Sequence, residues 1–272
     1  MTGKELREAL RNGRRVYGTL TSAPSPVWPG AARQAGLDFV FIDTEHMPLD
    51  RFTVSWMCRM YREMDLPPIV RIPSPDPYEA CKILDGGAAG IIVPYVESVE
   101  QVRDLVGAAR LRPVKGKRLA EALADPDTLE PELRRYVGER NAGTVALINV
   151  ESVPALENLD ALLAVPELDG VVVGPHDLSC SLGVPEQYTA PRFEEAMQTI
   201  IRKGRAAGVG VGVHYSEGTD LEIQWAKSGL NMIIHAGDIS LFSRALQTDI
   251  ASLRRALGDV PSGLGEDETL IV

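Results

Sequence analysis

Disulfide chemistry is the first thing this chain lacks. It holds three cysteines, Cys58, Cys81 and Cys180, odd in number and widely spaced, which builds no disulfide framework and fits a reducing cytoplasm. Positive charge is short as well: 28 Lys and Arg stand against 38 Asp and Glu, giving a formal charge of −10 and a pI near 5.0. Nucleic acids and anionic membranes require a basic footprint, so neither is an expected partner, while a local basic site for a small anion stays open. No run reaches the roughly 18 apolar residues of a membrane span. The opening MTGKELREALRNGRR has no apolar core of a signal peptide, so a soluble, unprocessed, cytoplasmic chain is expected. With 19 Pro and 25 Gly against 44% hydrophobic residues, the composition excludes a disordered or collagen-like chain.

What is present is a rhythm. Eight short apolar runs recur: 16–20, 39–42, 69–72, 90–93, 145–150, 170–173, 209–213 and 232–235. Most are continuous rather than alternating, as strands of a parallel sheet read when both faces are covered. Between them lie segments with apolar positions at helical spacing: 50–64, 77–84, 98–109, 153–163, 191–206, 219–227 and 240–257. Ser98 followed by Gln101 has the form of a capping box, and Gly86-Gly87, Gly208 and Gly229 have the form of helix stops. The 272 residues would allow two domains at roughly 150 residues each, but an α/β barrel fills about 250 as one. Eight βα units predict a single (β/α)₈ barrel over residues 1–258, with 259–272 as a tail. The long gap from Leu111 to Gly143 reads as a crossover excursion, either reaching over the barrel mouth or lying on the surface.

In such a barrel the chemistry sits at the C-terminal ends of the strands. The polar residues there are Asp43, Glu45, His46, Arg71, Glu151, Asp177, His214 and Asp238. Glu151 and Asp177 are 26 residues apart, one βα unit, and so top adjacent strands. Two oxygen ligands without a Cys or His partner suit a hard, partly hydrated cation such as Mg²⁺ or Mn²⁺; equally, strand-end carboxylates cap helices. His46 beside two carboxylates has the type and place of a general base, or of an ordinary loop histidine. Arg71 in VRIPS either holds a carboxylate or phosphate in its fork or forms a structural salt bridge. None of the eight runs ends in Lys, which argues against Schiff-base chemistry.

The blocks FVFIDTEHMPLD, VRIPSPDPYEACKILDGGAAGIIVPYVESVEQ, INVESVPALENLDALLAVPELDGVVVGPHDLSCSLG and GLNMIIHAGDISLF resemble, in order, those of the HpcH/HpaI aldolase family. The likeness spans about residues 5–255. It implies a phosphoenolpyruvate/pyruvate-type (β/α)₈ barrel, assembled as a homo-oligomer, usually a hexamer built as a trimer of dimers, with a C-terminal helix packed on the partner. It also implies a class II aldolase, dependent on Mg²⁺, Mn²⁺ or Co²⁺, that splits 4-hydroxy-2-oxo acids into pyruvate and an aldehyde through an enolate held on the metal, and runs the reverse condensation. By position, Glu151 and Asp177 would ligate the metal and His46 would move the proton. Arg71 would bind the pyruvate oxygen, Asp85 would orient His46, and the backbone at Pro175–Asp177 would receive the carboxylate.

The sequence departs from the family pattern around the mouth. Asn149 stands where Gln is common, His176 adjoins Asp177, Lys115-Gly116-Lys117-Arg118-Leu119 lacks a closing glycine, and His214-Tyr215 follow the seventh run. These changes lead us to expect that His176, His214 and the basic loop shape a pocket for a polar or anionic second substrate. Two other functions compete. One is a citrate-synthase-like or citramalyl-CoA-lyase-like enzyme on the same site, for which the acidic chain offers few phosphate contacts. The other is a non-catalytic binding barrel, against which the joint presence of His46, Arg71, Glu151 and Asp177 weighs.

Overall fold

The computed structural model describes residues 1–216 and 218–259. In chain order the elements are α1 (Gly3–Arg11), β1 (Val16–Leu20), α2 (Trp28–Gln34), β2 (Val40–Asp43), α3 (Arg51–Glu63), β3 (Pro68–Arg71), α4 (Pro77–Gly86), β4 (Gly90–Val93) and α5 (Val99–Arg110). Next come α6 (Gly116–Ala124), a 3₁₀ turn (Pro126–Thr128), α7 (Pro131–Asn141), β5 (Val145–Val150), α8 (Val153–Glu157), α9 (Leu159–Leu163), β6 (Gly170–Val173) and α10 (Pro175–Ser181). The last are α11 (Pro191–Ala206), β7 (Gly210–Tyr215), α12 (Asp220–Lys227), β8 (Met232–Gly237) and α13 (Asp238–Leu257). All eight strands are parallel and close as β1-β2-β3-β4-β5-β6-β7-β8, the expected (β/α)₈ barrel.

Alternation along each strand separates two cores. Val16, Leu20, Phe39, Phe41, Ile69, Ile92, Val145, Leu147, Val172, Met232 and Ile234 fill the lumen. Their neighbours Val40, Ile42, Val70, Ile91, Ile148, Val171 and Val213 face the helices in a separate cluster. Because both sets are apolar, the strands read as continuous runs. The N-terminal end of the lumen is closed by α1, whose Leu6, Ala9 and Leu10 are buried in the lumen cluster. Asp169, fully buried just before β6, accepts hydrogen bonds there from Arg7 Nε (2.8 Å), Arg11 Nε (3.0 Å) and the Ala146 amide (2.9 Å), and pairs with Arg110.

One choice left open is decided, one expected helix divides in two, and one expectation lies outside the described residues. The 111–143 segment does not lie over the C-terminal mouth: α5 first carries the chain back to the N-terminal face, and α6 and α7 follow there. The join is held by Asn141 Nδ2, which donates to the carbonyls of Arg110 (3.0 Å) and Arg112 (2.8 Å). The single helix expected over 153–163 is two, α8 and α9, broken where the Asn158 side chain turns to donate to the Glu97 carbonyl (3.0 Å). The expected tail falls, from residue 260 onward, outside the described residues. The Ser98–Gln101 capping box is present as expected.

Of the twenty residues of α13, only Asp238 is buried. Ile239, Phe242, Leu246, Ile250, Leu253 and Leu257 are exposed along it, spaced three and four apart as one helical stripe. Asp238 itself is fully engaged: it accepts from the amides of Ser22 (3.0 Å) and Ala23 (2.9 Å) and from Ser22 Oγ (2.7 Å). Its part is to tie the exit of β1 to the start of α13.

Candidate active site

The inward positions that are apolar through the barrel turn polar in its top layer. Asp43 ends β2 and Arg71 ends β3 at paired register positions, so their side chains meet inside the lumen. Arg71 Nε and Nη2 donate to the two oxygens of Asp43 at 2.9 and 2.6 Å. Burial opposes the charge on Asp43, but these bonds and the guanidinium charge hold its carboxyl below the usual range. The Arg71 guanidinium also lies 5.5 Å over the Phe41 ring, whose other neighbour is His214 at 5.6 Å, edge to face. With its fork occupied by Asp43, Arg71 keeps Nη1 for a ligand.

Glu151 follows β5 and Gly174 follows β6. The pairs Val150 with Val173 and Val173 with Val213 place Glu151, Gly174 and His214 on one rung. Gly174 leaves a gap: a Cβ there would stand 2.8 Å from Glu151 Oε2 and 3.6 Å from Asp177 Oδ2. Both carboxylates therefore border the same space. Glu151 is oriented by the Tyr95 amide (2.7 Å to Oε1) and by Asn149 Nδ2 (2.7 Å to Oε2). Burial pushes its carboxyl up; those two bonds work against the shift, and the charges of Asp177 and Glu45 add to it. Asp177 lies in the first turn of α10, whose first ladder bond runs from the Leu178 amide to Gly174 (3.0 Å), so the amides of His176 and Asp177 precede any intrahelical partner.

The chemistry of this donor set fits a divalent cation. Two hard oxygens share a gap without a cationic side chain between them, and the Asn149 Oδ1 oxygen beside them is buried without a hydrogen-bond donor. No group of three or more His, Cys, Asp or Glu side chains suited to a metal occurs among the described residues, so water and substrate would complete the coordination.

The structure brings Arg71, Glu151, Asp177 and His214 to the same end of the barrel, with His46 exposed at the rim. His46 Nε2 is 3.8 Å from Glu45 Oε2. His214 is turned inward, its Nε2 3.1 Å from the Ala236 carbonyl, and burial pushes it down to about 4, so the ring is neutral at ordinary pH. Pro175 is buried at the start of α10, while His176 faces outward, 3.4 Å from Glu186. Asp85 is not brought to His46 within the chain. It ends α4 at the N-terminal face and pairs with Arg112 (3.0 Å), because a helix that follows a strand returns the chain to the opposite end. Lys115–Arg118 open α6 at that same far end.

Sequence reasoning passed over Tyr95. It adopts a left-handed backbone at φ 55, costly for a residue with a Cβ, and this turn aims its amide at Glu151. The nearby Glu45 carboxylate, burial and the charges of Glu151 and Asp177 push its phenol up to about 12. The only available signal was its place two residues after β4.

Comparison with known proteins agrees with this geometry. A model of the HpcH/HpaI aldolase/citrate lyase family matches residues 22–245. A 2-keto-3-deoxy-L-rhamnonate aldolase of Escherichia coli (strain K12) is 32% identical over 254 residues, 91% of this chain and 92% of that protein. A crystal structure of an HpcH/HpaI aldolase/citrate lyase family protein from Burkholderia cenocepacia J2315 superposes with a TM-score of 0.79 at 29% identity, covering 92% of this chain and 99% of the other. The citrate synthase SbnG superposes equally well, TM-score 0.79 at 29% identity over 93% and 99% of the two chains. From barrel closure, strand-end chemistry and these matches together, the chain belongs to the HpcH/HpaI aldolase/citrate lyase family.

Proposed function

We propose that this protein is a divalent-metal-dependent aldolase that cleaves a 4-hydroxy-2-oxo acid into pyruvate and an aldehyde and catalyses the reverse condensation. The observation that carries this reading is the pair Glu151 and Asp177 around the side-chain-free Gly174, with Arg71 at the end of β3 on the same layer. Mg²⁺, Mn²⁺ or Co²⁺ held by the two carboxylates would supply a Lewis acid where negative charge develops on the pyruvate fragment.

The chain's own groups do the rest. Arg71, fixed by Asp43, turns Nη1 toward the 2-oxo oxygen as it gains charge. The amides of His176 and Asp177 receive the substrate carboxylate. His46 takes the proton of the 4-hydroxyl as the C3–C4 bond breaks; the bond's electron pair passes into the enolate of pyruvate, and the hydroxyl-bearing carbon leaves as the aldehyde. A proton delivered to C3 of the enolate completes pyruvate. Neutral His214 lines the floor beside Gly174 as a substrate contact. His176, turned toward Glu186, contributes through its backbone rather than its ring.

The similarity to a citrate synthase supports a second reading, a condensing or acyl-CoA-cleaving enzyme on the same enolate site. Its phosphate-binding candidate, Lys115–Arg118, lies at the far end of the chain's barrel, so the aldolase reading is preferred. A non-catalytic barrel would have no use for a guanidinium and two carboxylates held in this arrangement.

We further place the protein in the cytoplasm, as one barrel domain over residues 1–258 with a tail over 259–272, assembled through the exposed stripe of α13 against a partner barrel. Among the described residues no helix is long and apolar enough to cross a membrane. The deciding assay measures pyruvate release from a panel of 4-hydroxy-2-oxo acids, with EDTA and with each added cation. Loss with EDTA and recovery with metal is expected. Cleavage that persists after chelation rules out the metal-dependent mechanism, and tight oxalate binding without any cleavage favours the second reading.

A further inference from the structure

We propose that Glu97, Asn158 and Ser181 are positioning residues: from outside the donor set they strap together the three loops whose groups face Gly174, and so set the affinity of the site for its cation. The inference rests on the metal-dependent reading of that site and extends it to residues beyond the metal ligands.

Three consecutive units of the barrel contribute to the gap. The turn after β4 presents the Tyr95 amide, β5 leads into Glu151, and α10 carries Asp177. The strands end at Val93, Val150 and Val173, so beyond them the ladder no longer fixes one loop against the next. Side chains take over. Ser152 Oγ donates to the Glu97 carboxylate (2.6 Å), and Asn158 Nδ2 donates to the Glu97 carbonyl (3.0 Å), which joins the β5 loop to the β4 loop. Ser181 Oγ, at the end of α10, accepts from the Val153 amide (2.9 Å), which joins the β5 loop to the helix of Asp177. The contacts therefore run around the rim in the same order as Tyr95, Glu151 and Asp177.

The Tyr95 turn most needs holding. Its φ of 55 is disfavoured for a residue with a Cβ. Val96, on the far side of that torsion, is anchored in the core, so rotation to an ordinary φ would swing the amide away from Glu151 Oε1. Glu97 is where the strap takes hold: its amide donates to Gln101 Oε1 (2.9 Å), its carbonyl accepts from Asn158 and its carboxylate from Ser152. The division between α8 and α9 falls at Asn158, the residue that reaches across. Two carboxylates on one gap also repel each other. Loops tied at a fixed spacing leave less of that repulsion to be overcome when a cation binds, which is preorganisation.

The test titrates Mn²⁺ into the purified full chain without substrate and reads free Mn²⁺ by its EPR signal. Asn158→Ala, Glu97→Ala and Ser181→Ala are each expected to raise the Mn²⁺ Kd on the order of tenfold, the low end for partners outside the ligand set, with circular dichroism unchanged. Glu97→Gln keeps an acceptor for Ser152 and removes the charge; wild-type affinity is expected, and this rescue separates strapping from the loss of a negative charge. Tyr95→Gly relieves the cost of the positive φ, so in that background Asn158→Ala is expected to raise Kd by no more than about threefold. Ser181 is exposed, which keeps the test open if Asn158→Ala fails to fold. Wild-type Kd in the alanine variants, a loss in Glu97→Gln equal to that in Glu97→Ala, or an equal loss in both Tyr95 backgrounds overturns the strap. Tight Mn²⁺ binding by wild type with unaltered variants removes the strap alone, whereas no Mn²⁺ binding by wild type removes the metal-dependent reading and the strap with it.

Discussion

The two ends of the barrel handle charge in opposite ways. At the N-terminal face one buried carboxylate, Asp169, is surrounded by Arg7, Arg11 and Arg110 and by the Ala146 amide. At the C-terminal face one guanidinium, Arg71, is met by Asp43 and Glu45, with Glu151 close enough to raise its pKa further. The first arrangement saturates its carboxylate and admits nothing, under a helix that fills the lumen. The second leaves Glu45 Oε2 and Asn149 Oδ1 without donors and a gap where Gly174 has no side chain. At the closed end the orphan is a donor, Arg110 Nε, beside a carboxylate whose own oxygens are all met; at the open end the orphans are acceptors beside a gap, where a ligand can meet them.

Mutations at the two ends should separate stability from activity. Glu151→Gln, at the open end, is expected to lower kcat/KM for retro-aldol cleavage by about 10³-fold or more with thermal unfolding nearly unchanged; calorimetry beside a pyruvate-release assay reads both. Asp169→Ala, at the closed end, should do the reverse. It strands three guanidinium groups and is expected to cost roughly 3–5 kcal/mol in urea unfolding, while the molecules that remain folded keep their turnover.

His214 gives a smaller effect, confined to acid pH. Its folded pKa is about 4 against about 6.5 in an unfolded chain. Below pH 6.5 the unfolded state takes up the proton first, so its stability contribution is present above that value and is lost as pH falls toward 4, on the order of 3 kcal/mol. His214→Gln should flatten the stability-pH curve in this window; if it runs parallel to wild type, the buried neutral imidazole is wrong. The smallest change belongs to Glu167, which pairs with Arg7 and Arg110 at the closed end but is 53% exposed on its side chain. Glu167→Gln should shift unfolding by no more than about 1 kcal/mol, which would locate the seal in Asp169 and not in the ion pairs around it.

The barrel was legible because its strands are covered on both faces, which turns each into an uninterrupted apolar run bounded by polar residues. Glu151, Asp177 and Arg71 were legible for the same reason: they interrupt apolarity where strands end. The direction of the 111–143 segment was not, because polarity and length do not reveal that α5 had already reversed the chain. Asp85 is not beside His46 within one chain, because a helix ten residues long that follows a strand puts its last turn at the other end of the barrel. Tyr95 was hidden because its hold on Glu151 is made by a backbone amide.

The helix that stops the closed end has a temporal meaning as well. The carbonyl of Leu10 accepts from Arg205 Nη1 (3.0 Å) and Asn231 Nδ2 (3.0 Å), partners 195 and 221 residues further along. Synthesis delivers α1 first, but its seat, shared with Asp169 and the lumen residues of earlier strands, is completed only by the last quarter of the chain. Contacts of such sequence separation slow folding and leave apolar surface waiting. Leu6 and Leu10 share one cluster with residues from the first strand and from the last, so the first helix is fully seated only in a closed barrel.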